Sequence, residues 1–538
     1  MEQQQGKKIF GGIAIGRILI YSQNRMRAEC RMISDVGQEI VRYEEAKEKA
    51  VAQLMALYHR LLEESGEAQA QIFEMHAMML EDVGYNQSVK NLITVNHINA
   101  EAAVASTAEH FCAMFENMED AYFRTRSADI KDISDRVIAI LKGCLFDCDI
   151  GNEPAIIVAN DLSPSETVTM DRKNVLAFVT KDSSMHSHAA ILARNMGIPA
   201  LTGIDFKEAW SGKIAIVDGH NEKIFIDPDE KTLEKYKKQQ RREWEQSEEL
   251  SALRGKETIT TSGQKVHLCA NIGSMAEYKL AIENDAEGIG LFRSEFLFLE
   301  RESYPTEEEQ FFVYKRMAEY MNGKRVIIRT LDIGADKQAE YFQLEKEENP
   351  ALGCRGIRVC LMKNDIFKTQ LRALFRASYY GNIAIMYPMI SSMEEIREIK
   401  RITEEVCLEL ELEKIPYGNV KQGIMIETPA AAVLSDFFAK EVDFFSIGTN
   451  DLTQYTLAVD RQNSKLESYY STHSEAVMRL IELVAENAHK AGIWVGICGE
   501  LAADKELISR FLEMKIDELS VAPAHILPMR KAIREMQV

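Results

Sequence analysis

Asp443-Phe444-Phe445-Ser446-Ile447-Gly448-Thr449-Asn450-Asp451 is the stretch whose reading decides the fold. A short apolar burst stopped by glycine reads as a buried strand, and the polar residues after it stand at the strand's C-terminal end. The pattern recurs from residue 265 onward. Bursts fall at Val266–Ile272, Gly288–Phe292, Arg325–Ile333, Ile383–Met389, Gly423–Ile426, Asp443–Ile447, Trp494–Cys498 and Glu518–Ala522, with helical stretches between them. Eight strands alternating with helices predict a (β/α)₈ barrel, here over 258–538. Gly356–Cys360 also looks strand-like; it is assigned to a long insertion, 335–382, between the third and fourth strands.

Polar residues follow most of the bursts. The second strand ends in Phe292-Arg293-Ser294-Glu295, the third runs into Arg329-Thr330-Leu331-Asp332, and the fifth gives Ile426-Glu427-Thr428-Pro429. The sixth ends in Asn450-Asp451 with Arg461 further on, and the seventh in Cys498-Gly499-Glu500. In a barrel these ends converge on one mouth. Glu427 and Asp451 are hard oxygen donors of the kind that suits Mg²⁺. Arg293, Arg329 and Arg461 are equipped to clamp phosphoryl oxygens in bidentate fashion, and Asn450 to donate a further hydrogen bond. Arginines beside a metal site are the equipment of phosphoryl transfer. Cys498 is a thiol placed to act as an acid toward carbon.

The first half of the chain reads differently. Residues 8–20 predict strand, turn and strand. From about 33 to 144 the sequence carries helical periodicity without a proline, which predicts an inserted bundle of about four helices. Residues 61–120 hold eleven acidic side chains and one basic one, Lys90, an asymmetry that would steer a basic partner protein. Strand patterns return at Ala155–Ala159, Val175–Thr180, Ile214–Asp218 and Lys223–Asp227, with a capping box at Ser163-Pro164-Ser165-Glu166. Within this β/α segment lies Ser184-Met185-His186-Ser187-His188-Ala189-Ala190. Ser187 caps a short helix beginning at His188, and Gly197 stops it. On the first turn the helix dipole disfavours the imidazolium, keeps the ring nucleophilic, and favours an anion acquired later. The domain plan is 1–20 with 146–228 as a β/α unit, 21–145 as the inserted bundle, 229–257 as a charged linker helix, and 258–538 as the barrel.

Composition excludes several classes. A net charge of −20 argues against nucleic acid as the main partner. No apolar run approaches the roughly 20 residues that span a membrane. The nine cysteines lack CxxC or zinc spacing, and the start lacks a signal-peptide pattern; both fit a cytoplasmic protein.

Taken together, Asp161–Thr167, Ser187–Arg194, Gly290–Phe296, Pro305–Gln310, Arg329–Lys337, Glu347–Arg358, Met425–Ala432, the run Lys440–Arg461 and Cys498–Ala502 give the chain a resemblance to the enzyme I family of the phosphoenolpyruvate:sugar phosphotransferase system, over practically its whole length. The resemblance implies that phosphoenolpyruvate binds with Mg²⁺ in the barrel and phosphorylates Nε2 of His188. Arg293, Arg329, Asn450, Asp451 and Arg461 match the family's substrate-binding positions, Glu427 and Asp451 its metal ligands, and Cys498 its proton donor. Thr167 matches a hydrogen-bond partner of the active histidine. The swivelling β/α domain then hands the phosphoryl group to a histidine-containing phosphocarrier protein on the helical bundle, and the family dimerises through the barrel. Ser183-Ser184-Met185-His186 replaces the family's usual Gly-Gly-Arg/Lys-x run, and Ala335 a usual glycine. A pyruvate, phosphate dikinase shares the swivelling domain and barrel, but it needs a nucleotide-binding domain, and the chain has no GxxxxGK run. A phosphocarrier-binding paralogue without catalysis is the other alternative.

Overall fold

The computed structural model describes residues 1–21, 28–64, 67–116, 121–143, 153–160, 162, 170, 174–181, 187–299, 301, 303–334, 340–345, 347–471 and 473–537. It divides into two compact units, Met1–Trp244 and Glu245–Val538.

The N-terminal unit is built on one eight-stranded sheet. Its strands are β1 (Glu2–Gln5), β2 (Lys7–Phe10), β3 (Ile13–Tyr21), β4 (Ala155–Ala159), β5 (Val175–Thr180), β6 (Ala200–Thr202), β7 (Ile214–Asp218) and β8 (Lys223–Ile226), in the spatial order β1-β8-β7-β3-β4-β5-β6-β2. β3 pairs in parallel with β4 and antiparallel with β7, so the first strands complete a sheet whose other members lie more than 100 residues on. β1 and β6 are too short and polar, or too brief, to register as alternating patterns. β4 is buried at every position because both of its faces are covered. Ile157 and Phe178 pack on one face against Ala189, Ala190, Leu192 and Ala193; Ile156, Val158, Ala177 and Val179 pack on the other with Trp210. The first group belongs to the helix His188–Met196, whose alanines let it lie close on the sheet. Ser187 caps that helix, its hydroxyl accepting from the Ala190 N–H at 3.2 Å, and Gly197 ends it at φ 64°.

Five helices, rather than about four, form the bundle among the described residues: α1 (Val36–Glu64), α2 (Glu67–Glu81), α3 (Val83–Asn96), α4 (Ala100–Glu116) and α5 (Ala121–Leu141). The extra one arises because Asp82 breaks a continuous periodicity: its side chain accepts from the Tyr85 N–H at 2.8 Å and starts α3 afresh. The core is Tyr43, Leu54, Phe73, Leu80, Val89, Ile93, Val104 and Ile133 with their neighbours. A buried imidazole sits within it. His76 is fully buried, with Nε2 3.1 Å from Asp129 Oδ1 and Nδ1 3.4 Å from Asp132 Oδ2. Burial opposes the imidazolium, but hydrogen bonds to and charges on the two carboxylates outweigh it and push the ring up to about 9. A raised folded-state value stabilises below the unfolded value of about 6.5, and that contribution fades as pH climbs through 9. Urea unfolding of the full chain should therefore lose stability between pH 6.5 and 9 in the transition that reports α2 and α5. His76→Gln should flatten that slope; an unchanged slope would mean that the ion pair contributes nothing to it.

The C-terminal unit is a closed parallel barrel. Its strands are β9 (His267–Ile272), β10 (Ile289–Arg293), β11 (Val326–Arg329), β12 (Ile383–Tyr387), β13 (Lys421–Ile426), β14 (Phe444–Ile447), β15 (Trp494–Ile497) and β16 (Glu518–Val521), with β16 returning to pair with β9. All eight expected bursts are strands, most of them shortened, with β10 shifted by one residue and β13 beginning two residues earlier than expected. Gly356–Cys360 is not a strand; Ile357–Met362 is helical. Leu291, Ile327, Ala384, Met386, Met425 and Phe444 fill the interior, while alternate residues such as Ile328, Ile424 and Ile447 face the surrounding helices. Phe444 stacks on Trp494 at 4.6 Å to form the floor. The charged segment after β8 is a helix, Glu230–Ser251. No helix among the described residues is long and apolar enough to cross a membrane.

Candidate active site

Residues from five different strand ends meet at the C-terminal mouth of the barrel. β10 delivers Arg293, β11 Arg329, β13 Glu427, β14 the helix Thr449–Leu457 with Asn450 and Asp451, and β15 Cys498. Backbone pairing sets their heights: Ile426 lies beside Ile447, and Ile447 beside Ile497, so Glu427, Gly448 and Cys498 leave the barrel at one level.

Charges of alternating sign run across the mouth. Arg329 Nη2 lies 2.5 Å from Glu295 and Nη1 3.0 Å from Asp332; Arg355 Nη2 lies 3.2 Å from the same Asp332, and Nη1 3.3 Å from Asp451. Arg329, Asp332 and Arg355 are all buried. Buried ions are tolerated only when each meets several partners, and here each does. Glu427 is 1% exposed: its Oε1 accepts from the Met389 N–H at 2.6 Å, whereas Oε2 has no partner. Burial and the neighbouring charges of Asp451 and Asp332 hold its carboxyl well above the usual range. Glu295 Oε2, Arg329 Nε, Thr330 Oγ1, Arg355 Nε and Thr449 Oγ1 are likewise buried without hydrogen bonds. Such a concentration of unmet polar atoms is characteristic of a place that a polar ligand and water complete.

The donor set fits a hard divalent cation. An orphaned, buried carboxylate oxygen sits beside further carboxylates, and positive charge there would relieve both the burial of Glu427 and its repulsion from Asp451. Among the described residues no group of three His, Cys, Asp or Glu side chains forms a protein-only metal cage. Two carboxylates suit an ion that retains water and substrate oxygens.

Cys498 is 4% exposed, with Sγ 3.5 Å from the Ile447 carbonyl oxygen. Burial pushes its thiol up to about 11, against the opposing influence of a Ser446 hydrogen bond and of Arg329 and Arg293. It is a neutral, proton-bearing thiol next to the arginines. Arg461 lies in the loop after the Thr449–Leu457 helix, its backbone N–H donating to Gln454 Oε1 at 3.1 Å. Its charge acts on the Tyr470 hydroxyl together with those of Glu500 and Asp451, which puts it on the same rim. Asn450 is bonded to Glu500. On the separate N-terminal unit, the backbone places position 188 first in its helix. The side chain of His188, together with Thr167, His186 and the Ser163–Glu166 capping box, lies outside the described residues.

Strand-end patterns do not single out Arg355. It comes from the 335–382 insertion, and its sign is the glycine after it, together with a second glycine twenty-odd residues before. Gly356 adopts φ 57°, and a Cβ at Gly334 (φ 126°) would stand 2.5 Å from Arg355 Cβ. Both glycines are needed for the arginine to lie across the mouth. Glu295, Asp332 and Glu500 are visible in the strand-end runs, but nothing in their spacing says that they hold the arginines and the asparagine.

Fold and site define a barrel enzyme that receives a small, multiply charged anion. Family comparison agrees with this: residues 247–538 match the model for the PEP-utilising enzyme PEP-binding domain, 5–126 the N-terminal model, and 151–222 the mobile-domain model. A phosphoenolpyruvate-protein phosphotransferase of Priestia megaterium is 42% identical over 99% of this chain and 94% of its own length. Proteins of the same name from Geobacillus stearothermophilus and Bacillus subtilis are 44% and 41% identical, over 98% and 100% of this chain and 92% and 95% of theirs. The chain belongs to the phosphoenolpyruvate-protein phosphotransferase family of PEP-utilising enzymes.

Proposed function

We propose that the chain takes the phosphoryl group of phosphoenolpyruvate onto His188, passes it to a histidine of a small phosphocarrier protein and releases pyruvate, the entry step of a sugar phosphotransferase system. The observation that carries this is the run of Arg329, Asp332, Arg355 and Asp451 across the mouth, beside the partly unpaired Glu427 and the buried Cys498 thiol.

The roles divide by chemistry. Arg293, Arg329, Arg461 and Asn450 hold the phosphoryl and carboxylate oxygens, and Arg355 keeps Asp451 and Asp332 in place between them. Glu427 and Asp451 would hold Mg²⁺, which when bound draws charge from the phosphoryl oxygens. The imidazole of His188 attacks phosphorus: an N–P bond forms, the P–O bond to the enol breaks, and the electron pair leaves on the enol oxygen. Cys498 then gives its proton to the methylene carbon, yielding pyruvate and a thiolate. A thiol that holds its proton until an enolate forms beside it is suited to this step. The phosphocarrier protein docks on the acidic helical bundle, whose charge favours a basic partner. Dimerisation through the barrel and a cytoplasmic setting complete the proposal.

Release of pyruvate should require a histidine-containing phosphocarrier protein beyond the first turnover and be indifferent to AMP. Steady turnover driven by AMP and inorganic phosphate, with no carrier present, would overturn this reading in favour of a dikinase.

A further inference from the structure

Glu500, two residues beyond the thiol, makes two hydrogen bonds to one side chain. Asn450 Nδ2 donates to Glu500 Oε1 at 3.1 Å, and the Glu500 backbone N–H donates to Asn450 Oδ1 at 3.0 Å. A primary amide offers two N–H donors and one oxygen, so this pairing leaves one N–H for a ligand. It also fixes which way round the amide lies. Turned over, the NH₂ group would face an N–H and the carbonyl a carboxylate, two repulsive contacts in place of two bonds.

The backbone is built to make this meeting possible. A Cβ on Gly499 would stand 1.8 Å from Thr449 Oγ1 and 2.8 Å from Thr449 N. Only glycine lets the turn after β15 lie directly on the turn after β14, which brings position 500 against position 450. Tyr470, from the loop that carries Arg461, donates to the Asn450 carbonyl oxygen at 3.3 Å. Asn450 is thus the joint of three segments of the rim.

We propose that Glu500 is a positioning residue: it holds the Asn450 amide so that its remaining N–H meets an oxygen of bound phosphoenolpyruvate. The inference rests on the reading of Asn450 as a substrate contact. The negative charge of Glu500 is not what the position requires, since a carboxylate beside an anion site opposes binding. What it supplies is an acceptor at the correct reach.

The test measures KM and kcat for phosphoenolpyruvate in carrier-dependent turnover of the full chain. A second arm measures calorimetric binding of phosphoenolpyruvate with Mg²⁺ to His188→Ala, which receives no phosphoryl group. Glu500→Ala should raise KM, and the dissociation constant in the His188→Ala background, by about tenfold, the worth of one well-placed hydrogen bond, with little change in kcat. Glu500→Gln keeps the acceptor and should restore both values; Glu500→Asp, one methylene shorter, should not. In an Asn450→Ala background, Glu500→Ala should add nothing further, because the two act as one unit. Should Glu500→Ala not fold, the Gln and Asp variants carry the comparison. Gln as damaging as Ala would mean that the charge matters, and would overturn the proposal; so would full additivity with Asn450→Ala. If Asn450→Ala itself binds phosphoenolpyruvate normally, the reading of Asn450 falls and this inference with it. An impaired Asn450→Ala beside an unimpaired Glu500→Ala overturns the role of Glu500 alone.

Discussion

Loss of all phosphoryl label in His188→Ala is the expected result of incubating the chain with phosphoenolpyruvate labelled in its phosphoryl group and Mg²⁺. The wild-type label should be acid-labile and alkali-stable, as an N–P bond requires, and it should survive in His186→Ala. The reason lies in the local backbone. Ser187 occupies the N-cap and position 188 the first helical turn, where free N–H groups and the dipole favour a phosphorylated over a cationic ring. Position 186 precedes that cap in sequence. Because the sequence Ser183-Ser184-Met185-His186 puts a second imidazole two residues away, the double comparison is decisive. Label retained in His188→Ala and lost in His186→Ala would move the role. No label in any variant, the wild type included, would leave a chain that binds a carrier without catalysing transfer.

Cys498→Ala should separate two steps that the wild type runs together. Phosphorylation of His188 breaks the bond to the enol oxygen and needs no thiol, so rapid-quench labelling should remain near normal. Protonation of the enolate carbon then lacks its acid. Positioned general acids contribute about 10²- to 10⁴-fold, and the carrier-dependent kcat should fall within that range, with KM for phosphoenolpyruvate changed little. Two opposed influences fit the thiol to this step. Burial pushes it up to about 11, so it arrives protonated, while Arg329 and Arg293 oppose that burial and stabilise the thiolate it leaves behind. Cys498→Ser, a weaker acid of similar size, should recover packing but little rate. An undiminished kcat in Cys498→Ala would make the residue part of the interior packing alongside Met425 and Phe444.

The barrel was legible because its strands are short apolar bursts, most of them closed by polar residues, and burial on both sides removes the alternation a half-exposed strand would show. The ends at Arg293, Arg329, Glu427, Asp451 and Cys498 could be placed on one mouth for the same reason. Arg355 escaped because its position depends on two glycines and on the path of an insertion, Gly334 and Gly356 having no periodicity to betray them. Likewise β1 owes its strand geometry to a partner near the far end of its unit's sequence, Glu2 pairing with Ile226. Local pattern carries no trace of such pairing. The additional bundle helix turned on one hydrogen bond to Asp82, a capping signal that is visible in sequence yet easily read as part of a longer helix.

The barrel closes only when β16 pairs with β9, Glu518 meeting His267 and Val521 meeting Ala270. On a ribosome, every contributor to the mouth, from Arg293 to Cys498, is therefore synthesised before the ring that aligns them can shut. Nascent chains arrested upstream of β16 would carry the full catalytic complement in an open sheet with exposed edges, aggregation-prone and inert. Phosphoryl transfer would then switch on late and all at once during biosynthesis.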